Sequence, residues 1–274
     1  MKEEKPTILM TDSCAGGLSV LKYFQSWAGN FRIIYLADYE MNPFGLKNQK
    51  QIIEIVESWF KNLVKRNNVK LVVIACNTAS IASYKISRDL SNKHKVPVIS
   101  MVDGISTCIQ KNRELIEGKN VAIMATKYTI DSLKYFEIIH KYHPKKIINI
   151  VATQSEHSVT IGNCNLNAGK SLIYKELAKY RNEKIDTLIL ACTCFQLITS
   201  QIRKILGKTI LFLDPAIYVS EQSKEILNVT QDKVDPELLI YSTSKTKKST
   251  AGLDVSGKTF LHKMPKITNL TLER

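Results

Sequence analysis

No apolar run in the chain approaches the ~20 residues that a bilayer-spanning helix needs, so no membrane span is expected. The opening Met1-Lys2-Glu3-Glu4-Lys5 lacks the apolar core of a signal peptide and leads straight into a strand pattern, which makes the cytoplasm the expectation. No phosphate-cradling loop of the form G-x-x-x-x-G-K-[ST] is present, and nothing calls for a nucleotide or a pyridoxal cofactor. Metal-site spacing is missing too. Cys192-Thr193-Cys194 is a C-x-C pair with no second Cys/His pair at zinc spacing, so no metal is expected. Acidic residues are scarce: 25 Asp and Glu face 39 Lys and Arg, a net charge of +14. An excess of this sign admits a nucleic-acid partner. However, the lysines are scattered along helical patterns with no aromatic-interleaved patch, which fits solvated helix faces better. The run Ser244-Lys245-Thr246-Lys247-Lys248-Ser249 reads as an exposed loop.

What is present is the composition of an ordinary globular chain: 274 residues, 44% hydrophobic and 23% charged, enough for one or two domains. Short apolar runs alternate with helical spacing almost throughout. Strands are predicted at 7–10, 33–36, 71–75, 96–99, 121–124, 147–151, 188–191, 210–213 and 238–242. Between them lie amphipathic patterns such as Ile52, Ile53, Ile55, Val56, Trp59, Phe60 and Leu63. This rhythm predicts an α/β fold of parallel sheets covered by helices. The Lys/Ser/Thr/Gly stretch after the last strand reads as a loop.

Six cysteines are present: Cys14, Cys76, Cys108, Cys164, Cys192 and Cys194. A disulfide framework is not expected in a cytosolic chain of this length. Two of them share one local setting. Leu71-Val72-Val73-Ile74-Ala75 runs into Cys76-Asn77-Thr78, and Leu188-Ile189-Leu190-Ala191 runs into Cys192-Thr193. Each pairs a buried parallel strand with a following helix, and α/β folds place their chemistry at such strand ends. The echo fits two similar α/β units facing each other, with two thiols aimed at one substrate. Asp12-Ser13-Cys14-Ala15-Gly16-Gly17 ends the first strand, where glycines admit a close backbone approach. Asp12 there serves as either a helix cap or a catalytic acid.

Several stretches resemble glutamate racemases of the aspartate/glutamate racemase superfamily. Asp12-Ser13-x-x-Gly16-Gly17-Leu18-Ser19-Val20-Leu21 is similar to the family's opening signature. Asn42-Pro43-Phe44-Gly45-x-Lys47 resembles its substrate loop, with Phe44 where Tyr is usual. Cys76-Asn77-Thr78-Ala79-Ser80 resembles the first catalytic motif. Ala125-Thr126-x-x-Thr129-Ile130-x-Ser132 and Ala191-Cys192-Thr193 resemble later ones, in the family's order over residues 6 to 230.

The resemblance implies cofactor-independent racemization of an acidic amino acid, supplying D-glutamate for peptidoglycan. Cys76 and Cys192 would be the acid/base pair and Asp12 the support of Cys76. Ser13, Pro43, Phe44, Gly45, Asn77, Thr78 and Thr193 would contact substrate, with Cys194 a further candidate. It also implies two doubly wound parallel-sheet domains, 1–98 plus 212–274 and 99–211, facing each other across an active-site cleft, and a homodimer as a common state.

The chain departs from the pattern around the second cysteine. Cys194 stands where His is usual, and the Pro after the motif is replaced in Cys194-Phe195-Gln196. The supporting Glu is expected near Ile161 or Gly162, neither of which is acidic. Glu156 and His157 are candidates to reach in as substitutes, although an exposed loop is the expectation for the pair. Support for Cys76 is therefore expected intact and support for Cys192 lost. This leaves open a racemase of another acidic amino acid, a one-sided enzyme, or a protein that keeps the fold only for binding.

Overall fold

The computed structural model describes residues 5–230 and 235–274. Residues 1–4, on which the leader expectation rests, and the segment boundary near Val234 lie outside the described residues. Among the described residues ten strands form two sheets. β1 (Thr7–Asp12), β2 (Arg32–Ala37), β3 (Val69–Ile74), β4 (Val98–Ser100), β9 (Glu237–Ser242) and β10 (Ile267–Asn269) form the first, ordered β10-β9-β2-β1-β3-β4. β5 (Asn120–Ala125), β6 (Lys146–Val151), β7 (Thr187–Leu190) and β8 (Leu211–Leu213) form the second, ordered β6-β5-β7-β8. Neighbours pair in parallel in both. The chain changes sheet between β4 and β5 and again between β8 and β9.

Burial on both faces explains why the central strands read as unbroken apolar runs. In β1, Ile8 and Met10 pack on one face with Leu18, Phe24 and Tyr35, while Leu9 packs on the other with Ile34, Val56 and Trp59. In the second sheet Ala122, Met124, Leu188 and Leu190 face one layer, and Val121, Ile123 and Ile189 the other.

Strand order then fixes where a ligand can sit. In the first sheet the order reverses between β1 and β3, and in the second between β5 and β7. Loops leaving such neighbours diverge to opposite faces and open a crevice at the carboxyl ends of the strands. The four loops concerned carry Asp12, Cys76, Thr126 and Cys192.

Two sequence expectations fail in the last third. The stretch expected to be a loop is mostly the helix Lys247–Phe260, and the exposed run ending at Ser249 enters it. Thr246 caps this helix by accepting from the Ser249 amide at 3.2 Å. Its buried face is Ser249, Gly252, Leu253, Ser256 and Gly257, so small residues rather than apolar ones mark the helical period. The short edge strand β10, barely buried, gives no apolar run and was not expected. No helix among the described residues is long and apolar enough to cross a membrane.

Candidate active site

Asp12 ends β1 as a buried carboxyl held by three donors. Ser13 Oγ donates to Oδ1 at 3.2 Å and the Cys14 amide at 3.3 Å, while Thr193 Oγ1 reaches Oδ2 at 3.0 Å. The first two come from its own loop and the third from the loop after β7. Asp12 thus ties the two sheets together at their carboxyl ends. Burial pushes its carboxyl up to about 6, against the lowering pull of these hydrogen bonds. Gly16 permits the close approach: a Cβ there would lie 2.5 Å from Thr193 Oγ1 and 2.8 Å from Cys194 Sγ. This glycine therefore serves the junction between two loops of the protein.

Cys76 follows β3 and caps the helix Asn77–Ala82, its Sγ accepting from the Ala79 amide at 3.5 Å. The thiol donates to Ser13 Oγ at 3.6 Å, and Ser13 in turn donates to Asp12, so a hydrogen-bonded chain through Ser13 links Cys76 to Asp12. Burial, and then the charge of Asp12, push this thiol well above its usual range.

Cys192 follows β7 on the other side of the same cleft and is half-buried. A hydrogen bond with Cys194 holds its pKa down, while burial and the charge of Glu156 push it up, and the net direction is upward.

Glu156 corrects the sequence expectation. It lies in the helix Thr153–Thr160, not in an exposed loop, and is only 8% exposed. Its carboxyl lines the cleft with Cys192 and Cys194, while its neighbour His157 points to solvent. Thr160 Oγ1 donates to Glu156 Oε1 at 2.8 Å, and burial pushes the carboxyl up to about 7. The helix is pinned at both ends. Glu176 accepts from the amides of Gln154 at 2.9 Å and Ser155 at 2.8 Å, and Tyr39 OH donates to the Thr160 carbonyl at 3.1 Å. A carboxyl therefore enters the cleft from more than a turn before the position where the resemblance places it.

The remaining residues expected in the site fall into two groups. Ser13, Phe44, Gly45, Asn77, Thr78 and Thr193 line the cleft. Pro43 is exposed and not among the lining residues. Phe44 is turned inward, its ring stacked 5.9 Å from that of Trp59 at 17°. Asn77 Oδ1 accepts from Tyr135 OH, whereas its buried Nδ2 has no hydrogen-bond partner among the described residues and is free to donate into the cleft. Thr78 Oγ1 sits 3.1 Å from Thr126 Oγ1, which joins the site from the loop after β5.

Cys14 and Thr126 are the lining residues to which the sequence reading gave no role in the site. Cys14 Sγ lies 3.6 Å from Cys194 Sγ, so the unassigned cysteine of the first loop meets the cysteine that replaces the usual His. Spacing along the chain holds no trace of this contact across 180 residues.

Known proteins share this architecture. The chain is 30% identical over 229 residues to the glutamate racemase of Vibrio cholerae, covering 82% of each chain. Its structure matches a glutamate racemase isoform of Bacillus anthracis with a TM-score of 0.81, 22% identity and 98% of both chains covered. It matches the Francisella tularensis glutamate racemase, solved in complex with D-glutamate, with a TM-score of 0.80 at 23% identity, covering 97% of this chain and 98% of that one. A family model described as Asp/Glu/Hydantoin racemase matches residues 30–218. With more than half of its length inside that match, the chain belongs to the Asp/Glu/Hydantoin racemase family.

Proposed function

We propose that this chain interconverts L- and D-glutamate by cofactor-independent proton transfer at Cα, with Cys76 and Cys192 as the acid/base pair. One observation carries the reading: a buried carboxyl acts on each thiol. Asp12 reaches Cys76 through Ser13, and Glu156 shares the cleft with Cys192, whose thiol feels its charge. In either direction one thiolate takes the Cα proton while the other thiol delivers a proton to the opposite face, so one proton leaves and one arrives. The charge that develops at Cα spreads into the α-carboxylate, where fixed, preorganised donors stabilise it. Asn77 Nδ2 and Thr78 Oγ1 are the side-chain donors at hand, since the Ser13 and Thr193 hydroxyls already donate to Asp12.

No cationic side chain lines the cleft among the described residues, while Asp12 and Glu156 both do. The ammonium group of an amino acid complements that pair and favours the thiolate form of either cysteine through its charge. Membership of the family and the names of the relatives support glutamate as the substrate. The same membership supports a cytoplasmic setting, a supply of D-glutamate to peptidoglycan and a homodimer. The two sheets with their helices are read as two lobes, with the breaks a few residues later than the expected 98/99 and 211/212, because β4 (Val98–Ser100) belongs to the first sheet and β8 (Leu211–Leu213) to the second.

Cys194 at the position of the usual His favours one rival, an altered preference among acidic amino acids. Purified protein stripped with chelator and given D- or L-glutamate, or D- or L-aspartate, separates these by optical rotation. The expected result is the same mixture of enantiomers from either form of glutamate, with aspartate much slower. Preference for aspartate would support the rival, and turnover of neither amino acid would overturn racemization.

A further inference from the structure

Cys14 and Cys194 both stand outside the paired-thiol chemistry, and they meet at a sulfur–sulfur distance of 3.6 Å. That is far from the ~2.05 Å of a disulfide. It is close to the ~3.8 Å edge expected between two thiolates that share a tetrahedral zinc ion at Zn–S ~2.3 Å. A carboxylate oxygen of Glu156 completes the group: the three ligand atoms all lie within 4.8 Å of one another, and all three residues are buried.

The three come from separate parts of the fold, namely the loop after β1, the loop after β7 and the helix Thr153–Thr160, which is why C-x-C spacing alone did not reveal them. The surroundings suit a cation. Asp12 Oδ1 lies 4.0 Å from Cys14 Sγ, and no Lys, Arg or His lines the cleft among the described residues. The Gly16 amide points at Cys14 Sγ from 3.5 Å, a contact that favours the thiolate. Thr160 fixes the Glu156 carboxyl through Oε1, the kind of supporting hydrogen bond that orients a metal ligand.

The geometry points to a binding site for a thiophilic divalent cation, Zn²⁺ or Cd²⁺, formed by Cys14, Cys194 and Glu156. Two sulfur ligands and one carboxylate select such ions over Mg²⁺ or Ca²⁺, and three protein ligands leave a fourth position open to water. Binding releases the two thiol protons, and the Glu156 carboxyl proton where it is held, to solvent and breaks no other bond. The site goes beyond racemization and is inhibitory to it, because the ion would take Glu156 and Cys194, the two groups beside Cys192.

Titration with Cd²⁺ and with Co²⁺ tests this on the full chain, kept reduced by a non-thiol reductant. Thiolate-to-metal charge-transfer absorption and metal stoichiometry are the readouts, so the outcome does not depend on activity. One equivalent with a charge-transfer band is expected. Cys14→Ser and Cys194→Ser should each lose the stoichiometric band, while Cys76→Ser and Cys192→Ser should keep it. Cys14→Ala and Cys194→Ala provide a second pair, with circular dichroism to show that each variant is folded. A wild-type chain without the band would overturn the site. So would a band that survives loss of Cys14 or Cys194, or one that disappears with Cys192.

Discussion

At Cys192 the chemistry depends on what replaces the usual His, and Glu156 and Cys194 are the groups found there. Glu156 is the more consequential because it is a buried carboxyl whose charge acts on the Cys192 thiol. Glu156→Gln keeps an oxygen for the Thr160 hydroxyl to donate to and removes that charge. It should lower kcat by roughly 10- to 100-fold, within the range by which positioned acid–base groups contribute, with KM little changed. Steady-state kinetics in both directions check this, and an unchanged kcat would assign Glu156 a purely structural part. The Cys76 side was legible in the sequence because Asp12, Ser13 and Cys76 fall within motifs of short spacing. Glu156 was not. A carboxyl in a polar octapeptide looks solvent-exposed unless the partners that bury it, Tyr39, Glu176 and the helix Lys247–Phe260, are known to converge on it.

Among the elements, the helix Thr153–Thr160 is held against the site by the late helix Lys247–Phe260. A Cβ on Gly252 would sit 2.1 Å from the Thr160 carbonyl oxygen. Gly252→Ala therefore has to push the two helices apart, and overpacking of this kind costs about 1–3 kcal/mol. A lower melting temperature is expected together with a loss of kcat, because Thr160 and Glu156 move with the helix. Full activity at a lowered melting temperature would show that the pairing of the two helices does not position Glu156. The strands were legible because burial on both faces leaves little but Val, Ile, Leu, Met and Ala in them. The late helix escaped notice because its buried stripe is Ser and Gly, residues that elsewhere signal a loop. Its close packing requires just such residues.

On the scale of the whole molecule, contacts between segments of the two sheets hold the cleft together. Asp12 receives Thr193, Ser19 Oγ donates to the Thr193 carbonyl at 3.0 Å, and Tyr23 OH donates to Asp214 at 3.0 Å just after β8. Asp214 also caps the helix Pro215–Ile226 by accepting from the Ala216 amide at 3.0 Å. Burial raises its carboxyl above the ordinary 3.8, so the folded chain holds this proton to higher pH than the unfolded chain does. The stability that this difference contributes is complete below 3.8 and is lost as pH rises through the folded value. Asp214→Asn should flatten that part of the melting-temperature profile. A profile unchanged in slope would place the Asp214 proton elsewhere. The α/β class and the two-sheet layout were readable from the alternation of runs. The contacts that bring the sheets together were not, since they join hydroxyls to carboxyls and to a backbone carbonyl more than 170 residues away.

The pairing of Cys76 with Cys192 is tested most directly by exchange of the Cα proton in D₂O, followed by NMR from D-glutamate and from L-glutamate separately. The wild-type chain should incorporate deuterium from both enantiomers. Cys76→Ala and Cys192→Ala should each abolish racemization and slow exchange of at least one enantiomer by ~10²- to 10⁴-fold. Exchange from neither enantiomer by the wild-type chain, or full rates in both variants, would contradict the two-thiol chemistry.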